Sequence, residues 1–274
     1  MFDKIFQNIR EKAPFIHNIT NYVTVNDCAN ILLACGASPI MADDLREVEE
    51  ITSLCNALVI NIGTLNDRTI PSMIKAGKKA NELNHPVILD PVGAGASKLR
   101  TDTAMRLLEE IRFSVIKGNA SEIKTLYHGA GDTKGVDASE MDQVTESNLE
   151  QTVAMVKNLS EYTKAVIVMT GRIDIAADTD KAYIIRNGHS MMSKITGTGC
   201  MLTSVIGALC AANPEKLLDA AAAGACAMGI CGEQAFEKIS ENNEGTASFR
   251  VNLIDYMSKM DSRLLMERAR FEAI

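Results

Sequence analysis

Thr196-Gly197-Thr198-Gly199-Cys200 stands immediately ahead of an uncharged stretch of helical character. Small residues there let backbone N–H groups converge on an anion at the positive end of the helix, which describes a phosphate cradle. A glycine-rich turn with Thr198 as helix N-cap explains the same residues without a ligand. Cys200 falls in the first helical turn, where a thiol can act as base or nucleophile; a small core cysteine is the alternative. Asp90 ends the apolar run Pro86–Leu89, a position from which a carboxylate reaches a ligand at the carboxyl edge of a parallel sheet, although Asp before Pro also opens turns. Asn119 and Glu122, one helical turn apart, suit either a hydrated Mg²⁺ or a capping box with Asn119 as N-cap and Glu122 at N3. Lys117 can meet a phosphate as a point charge or face solvent, and Thr170 can donate to a nucleotide or cap a turn.

These residues need a scaffold that gathers them. Apolar runs with β-branched residues recur at 57–60, 86–89, 114–116 and 165–169, separated by segments of helical period. The runs are continuous instead of alternating, which predicts parallel strands covered by helices on both faces. Residues 173–177 and 181–186 flank an Asp-Thr-Asp turn and predict an antiparallel hairpin at the sheet edge. Phe2, Ile5, Phe6 and Ile9 mark an amphipathic helix closed by Pro14, and 200–212 and 220–232 predict two helices buried all round. The polar stretch 128–148 reads as an exposed connection. No linker or repeat divides the chain, so one domain over 1–274 is expected. Asp90, Lys117, Asn119, Glu122, Thr170 and the 197–200 segment then all lie at strand ends or helix starts, where one edge of a sheet can collect them.

Composition narrows the possible roles. The chain has 274 residues, 46% of them apolar, and a formal charge of −7, so no bulk positive field recruits nucleic acid. Seven cysteines without a C-x-x-C pair suggest a reducing, cytoplasmic setting, and four scattered histidines offer no zinc cluster. No secretory leader is expected from the N-terminal pattern. The uncharged stretch from 195 to 214 is interrupted by Gly-Thr-Gly and Asn-Pro, which leaves too short a helix to cross a membrane. Neither a P-loop nor a G-x-G-x-x-G fingerprint is present.

The chain carries the strings His17-Asn18-Ile19-Thr20-Asn21, Ser38-Pro39-Ile40-Met41-Ala42, Ile60-Asn61-Ile62-Gly63-Thr64-Leu65, Leu89-Asp90-Pro91-Val92-Gly93-Ala94-Gly95, Gly118-Asn119-Ala120-Ser121-Glu122 and Gly197-Thr198-Gly199-Cys200. In these, and nearly end to end, the sequence resembles the hydroxyethylthiazole kinases of thiamine salvage. The resemblance implies a ribokinase-like three-layer α/β/α fold with a mostly parallel central sheet and no separate lid. It also implies ATP-dependent phosphorylation of the primary hydroxyl of 5-(2-hydroxyethyl)-4-methylthiazole. Carried over by position, Lys117, Thr170 and Asn119 become nucleotide-side residues, Met41, Gly197 and Asn21 substrate-side residues, and Asp90 and Glu122 holders of Mg²⁺ through water. Cys200, with the loop Gly197, Thr198 and Gly199, stands beside the attacking hydroxyl. The family assembles as a trimer with active sites between subunits, which places the Asn21 and Met41 regions against a neighbour. Two departures stand out: Lys117 occupies a position that is usually Arg, and Ala247 replaces the central Gly of a Gly-Thr-Gly-Ser-Phe string, which would strain it if that position needs φ > 0. A related small-alcohol kinase acting on hydroxymethylpyrimidine, a catalytically silent nucleotide- or thiazole-binding regulator, and an interaction protein are the alternatives.

Overall fold

The computed structural model describes residues 2, 4–129 and 144–274. In chain order the elements are α1 (Ile5–Lys12), β1 (Phe15–Ile19), α2 (Val25–Cys35), β2 (Ser38–Ile40), α3 (Val48–Leu54), β3 (Ala57–Asn61), α4 (Thr69–Glu82), β4 (Val87–Asp90), α5 (Lys98–Glu110), β5 (Val115–Asn119) and α6 (Ala120–Gly129). They continue as α7 (Leu149–Thr163), β6 (Val166–Thr170), β7 (Asp174–Ala177), β8 (Ala182–Ile185), α8 (Thr198–Ala212), α9 (Leu217–Glu241), α10 (Thr246–Lys259), α11 (Ser262–Arg268) and β9 (Phe271–Ala273). The expected exposed connection lies for the most part, over 130–143, outside the described residues.

All nine of these strands join one sheet in the order β2-β1-β3-β4-β5-β6-β7-β8-β9. The six from β2 to β6 run parallel, and β7, β8 and β9 add antiparallel at one edge. The predicted hairpin is therefore present as β7 and β8. Strand pleating divides the apolar runs between the two faces: Val59 and Ile88 join one core with α1, α2, α8, α9 and α10, whereas Leu58, Ile60 and Leu89 join the other with α3 to α7. Helices on both faces of one sheet give the three-layer α/β/α arrangement.

The two helices predicted to be buried all round are α8 and the central part of α9. α8 packs on β1, β3 and β4. Its close approach depends on Gly207, since a Cβ there would stand 2.6 Å from Val59 Cγ2. This contact fixes the height of the helix above the sheet and brings its N-terminus over the carboxyl ends of those strands. Ala247 lies in the first turn of α10 and is not among the residues with positive φ, so the strain considered for it is not present. Among the described residues, no helix is long and apolar enough to cross a membrane.

Candidate active site

Six strands pointing the same way end along one edge, and the polar residues of the sequence motifs gather there. Asn21 follows β1, while Asn61, Asp90, Asn119 and Thr170 are the last residues of β3, β4, β5 and β6. α8 starts above them. Gly197 is its N-cap residue with φ of 90°, a left-handed conformation that favours glycine, and a Cβ there would meet Thr24 Cγ2 at 2.8 Å. Thr198 is thus not the cap; it opens the helix, and its hydroxyl donates to Met192 O at 3.3 Å. The first intrahelical bond runs from Met201 N–H to Gly197 O. The amides of Thr198, Gly199 and Cys200 precede that bond and have no carbonyl partner within the helix, which leaves them as the donors of the expected anion cradle.

Beneath the helix start lies a buried polar cluster. Asp90 is fully buried, and its Oδ2 receives Asn61 Nδ2–H at 2.9 Å and faces the Thr203 hydroxyl at 2.8 Å. Its Oδ1 is 3.5 Å from Lys117 Nζ, which is also buried. Burial pulls the Lys117 ammonium down, but Asp90 and Glu122 outweigh it, and the group stays above its ordinary value and charged. Gly199 sits directly over this ammonium: a Cβ on it would lie 2.8 Å from Nζ. The cation is therefore pressed against the first turn of α8.

Glu122 closes a capping box. Its backbone N–H donates to Asn119 Oδ1 at 2.9 Å while its Oε2 accepts from Asn119 N–H at 2.8 Å. The other carboxylate oxygen, Oε1, accepts from Gly93 N–H at 2.9 Å, which ties the 91–96 turn to α6. The capping-box alternative for this pair is thus present, and the capping interaction aims the carboxylate at the edge. The Cys200 sulfur receives Asn21 Nδ2 at 3.2 Å and Asn61 Nδ2 at 3.3 Å. Cys28, Cys35, Cys55, Cys210, Cys226 and Cys231 are all buried, whereas Cys200 is partly exposed. Burial raises the thiols of Cys28 and Cys55 to about 11. Met41 stands just beyond β2 on the same edge, and the carbonyl of Ala42 next to it is held by His17 Nε2 at 2.8 Å.

From Asn119, Thr170, Thr198 and Gly199 a cleft of about 810 Å³ extends outward to His189 and Met228. That volume suits a small-molecule ligand. The structure joins Asn21, Asp90, Lys117 and Cys200 in one bonded or contacting cluster and sets Asn119, Glu122 and Thr170 beside it, with the Thr170 hydroxyl donating to Gly118 O at 3.3 Å. Asn61 and Thr203 belong to the cluster as well, although sequence reasoning assigned them no role. The available signal for Asn61 was an amide between Ile60 and Ile62 at the end of a strand.

A parallel sheet whose carboxyl edge offers a cation, two carboxylates and a helix N-terminus matches proteins of known type over its whole length. The family model for the hydroxyethylthiazole kinase family matches residues 6–263. The chain belongs to that family. Among relatives, a hydroxyethylthiazole kinase of Clostridium acetobutylicum is 58% identical over 273 residues, covering 100% of both chains. A solved structure of hydroxyethylthiazole kinase from Pyrococcus horikoshii superposes with a TM-score of 0.88 at 34% identity, covering 100% of this chain and 98% of that one. A ribokinase-like superfamily protein from Enterococcus faecalis matches with a TM-score of 0.60 at 13% identity, over 93% of this chain and 88% of that one, which shows the shared fold alone. As a hydroxyethylthiazole kinase family member with a ribokinase-like fold, the chain is a phosphotransferase, and the edge described above is where that fold brings its polar groups together.

Proposed function

We propose that the protein transfers the γ-phosphoryl group of ATP to the primary hydroxyl of 5-(2-hydroxyethyl)-4-methylthiazole, giving its phosphate and ADP in thiamine salvage. The observation that carries this reading is Cys200 in the first turn of α8, fixed by two amides on one side and adjacent to the free N–H groups of the same turn. Lys117, Asn119 and Thr170 serve the nucleotide, whose outer part occupies the cleft. Asn21, Met41 and Gly197 serve the thiazole alcohol. The charge of the transferring group spreads over its equatorial oxygens, so fixed donors at the helix start and the Lys117 ammonium supply most of the stabilisation. In its thiolate form Cys200 accepts the proton of the attacking hydroxyl and becomes the thiol, a contribution of about 10²- to 10⁴-fold for a general base.

Among the described residues no group of three or more His, Cys, Asp or Glu could enclose a metal ion. Asp90 and Glu122 fit hydrated Mg²⁺ nonetheless, because that ion keeps several waters and takes one or two carboxylates together with substrate phosphates. Asp90 Oδ2 is filled by Asn61 and Thr203, whereas Asp90 Oδ1 faces Lys117 Nζ and Glu122 Oε1 and Oε2 accept from Gly93 and Asn119 N–H, which leaves a lone pair on each of these three oxygens. Bound there with the nucleotide, the ion would neutralise phosphate charge.

The same reading includes a homotrimer with sites completed between subunits, which the family resemblance supports; Tyr22, 77% exposed, and exposed Val23 follow directly on Asn21 at the mouth of the site. Seven free thiols support a reducing, cytoplasmic setting, and the charge of −7 gives no support for nucleic acid as partner. The test is ADP release with Mg-ATP and the thiazole alcohol, hydroxymethylpyrimidine, ribose or no acceptor. Turnover selective for the thiazole alcohol is expected. Turnover selective for hydroxymethylpyrimidine would reassign the substrate, and ATP binding without any turnover would favour a silent regulator.

A further inference from the structure

Asn61 is buried at the end of β3, and all of its side-chain hydrogen-bonding capacity is used. Oδ1 accepts from Gly63 N–H at 2.9 Å and from Asn21 Nδ2 at 3.0 Å, while Nδ2 donates to Asp90 Oδ2 at 2.9 Å and to Cys200 Sγ at 3.3 Å. The Gly63 amide can only donate, so it determines which end of the Asn61 side chain is oxygen. Nδ2 must then point at the carboxylate and the sulfur. The close fit depends on Gly63 lacking a side chain, since a Cβ there would stand 3.0 Å from both Asn61 Oδ1 and Asn21 Cβ. Asn21 is oriented in the same manner, its Oδ1 accepting Thr24 N–H at 3.1 Å. Two amides whose polarity is set by backbone N–H groups therefore both present protons to one sulfur.

We infer that Asn61 is a positioning residue for phosphoryl transfer: it holds the Cys200 sulfur as a hydrogen-bond acceptor, in one place, against the entering hydroxyl. Asn61 acts through Cys200 and does not itself touch substrate. This rests on Cys200 receiving the proton of that hydroxyl, as set out above. In the thiolate form the sulfur has three lone pairs, so two amide donors on its inner side leave one for the proton arriving on its outer side. Without the Asn61 donor, the thiolate loses one of the two hydrogen bonds that hold it and can rotate away from the entering hydroxyl, which removes the acceptor from the substrate.

The test is a double-mutant cycle on the full chain with Mg-ATP and the thiazole alcohol. Asn61→Ala and Asn61→Ser, the second retaining a hydroxyl donor in the buried site should alanine fail to fold, are each assayed alone and in a Cys200→Ala background, with folding checked by thermal melting. With Cys200 present, kcat is expected to fall about 10- to 100-fold while KM for ATP stays within about threefold. In the Cys200→Ala background the same substitutions are expected to change kcat by less than about threefold, because the group through which they act is gone. Equal losses in both backgrounds, with a raised Mg²⁺ requirement, would assign Asn61 to Asp90 and overturn the inference. Wild-type kcat in a folded Asn61 variant would overturn it too. Full activity of Cys200→Ala alone would instead remove the role of Cys200 and the inference together, so the two failures are distinguishable.

Discussion

Replacing Gly199 by Ala separates nucleotide binding from folding. Gly199 has no positive φ and lies inside the first turn of α8, so alanine fits the backbone and improves helix propensity by up to about 1 kcal/mol. The added Cβ, however, would stand 2.8 Å from Lys117 Nζ and 3.9 Å from its Cε. The ammonium is the movable partner, and it is buried on a strand with Asp90 on its inner side. Relief of the overlap moves it away from the helix start, where the proposed reading places the phosphates. A hydrogen bond to a charged group contributes about 1.5–3 kcal/mol, so its loss corresponds to a rise of about 10- to 100-fold in KM for ATP. Steady-state ADP release at saturating thiazole alcohol measures this, and differential scanning calorimetry follows the fold. An unchanged or higher Tm with a raised KM is expected. A KM equal to wild type would refute the placement of Lys117 as the phosphate-side cation, and a collapse of Tm would show that the helix start cannot accept the methyl group.

Cys200→Ala should lower kcat by about 10²- to 10⁴-fold while retaining ATP binding, and Cys200→Asp should retain substantial activity, as stopped assays with titration calorimetry will show. A folded Asp variant as inactive as Ala would contradict the base role. Asp174, whose carboxyl burial pushes up to about 7 against the opposing Gly171 N–H and Lys117, is more protonated in the folded than in the unfolded chain between its ordinary range and pH 7. Its contribution to stability is present at low pH and lost as pH rises through that window, so Asp174→Asn should raise Tm at pH 8 and have a smaller effect near pH 4. Gly207→Ala should destabilise by about 1–3 kcal/mol, because its Cβ would overlap Val59 Cγ2 at 2.6 Å where α8 rests on the sheet; urea denaturation reads this, and no loss would mean that the helix can rise without cost.

The strands most legible in the sequence were those of the sheet centre. β3, β4, β5 and β6 are covered on both faces and therefore read as unbroken apolar runs. β1 did not, because His17 and Asn18 interrupt it. Both are buried in the structure, with His17 bonded to Thr52 Oγ1 and Ala42 O and Asn18 to Ser204. Burial lowers the pKa of His17 against the opposing Ala42 carbonyl, which keeps the ring neutral in that core position. β2 and β9 span three residues each, too few for periodicity to register, and Pro39 suits only an edge strand such as β2. At the site, Asp90 and Glu122 were legible because strand ends and capping boxes are local patterns. The contacts of Asn61 with Cys200 and of Lys117 with Gly199 were not, since they join residues far apart in the chain through the height of α8 above the sheet. No local spacing encodes that height. It follows from the fit of Gly207 against Val59.

The most direct test is single-turnover transfer from γ-labelled ATP to 5-(2-hydroxyethyl)-4-methylthiazole with excess protein, the product examined by phosphorus NMR. Label in a phosphate monoester coupled to the CH₂ of the side chain, in a one-to-one ratio with ADP, is the expected result. Label recovered only as inorganic phosphate, or retained on Cys200, would contradict direct transfer to that hydroxyl.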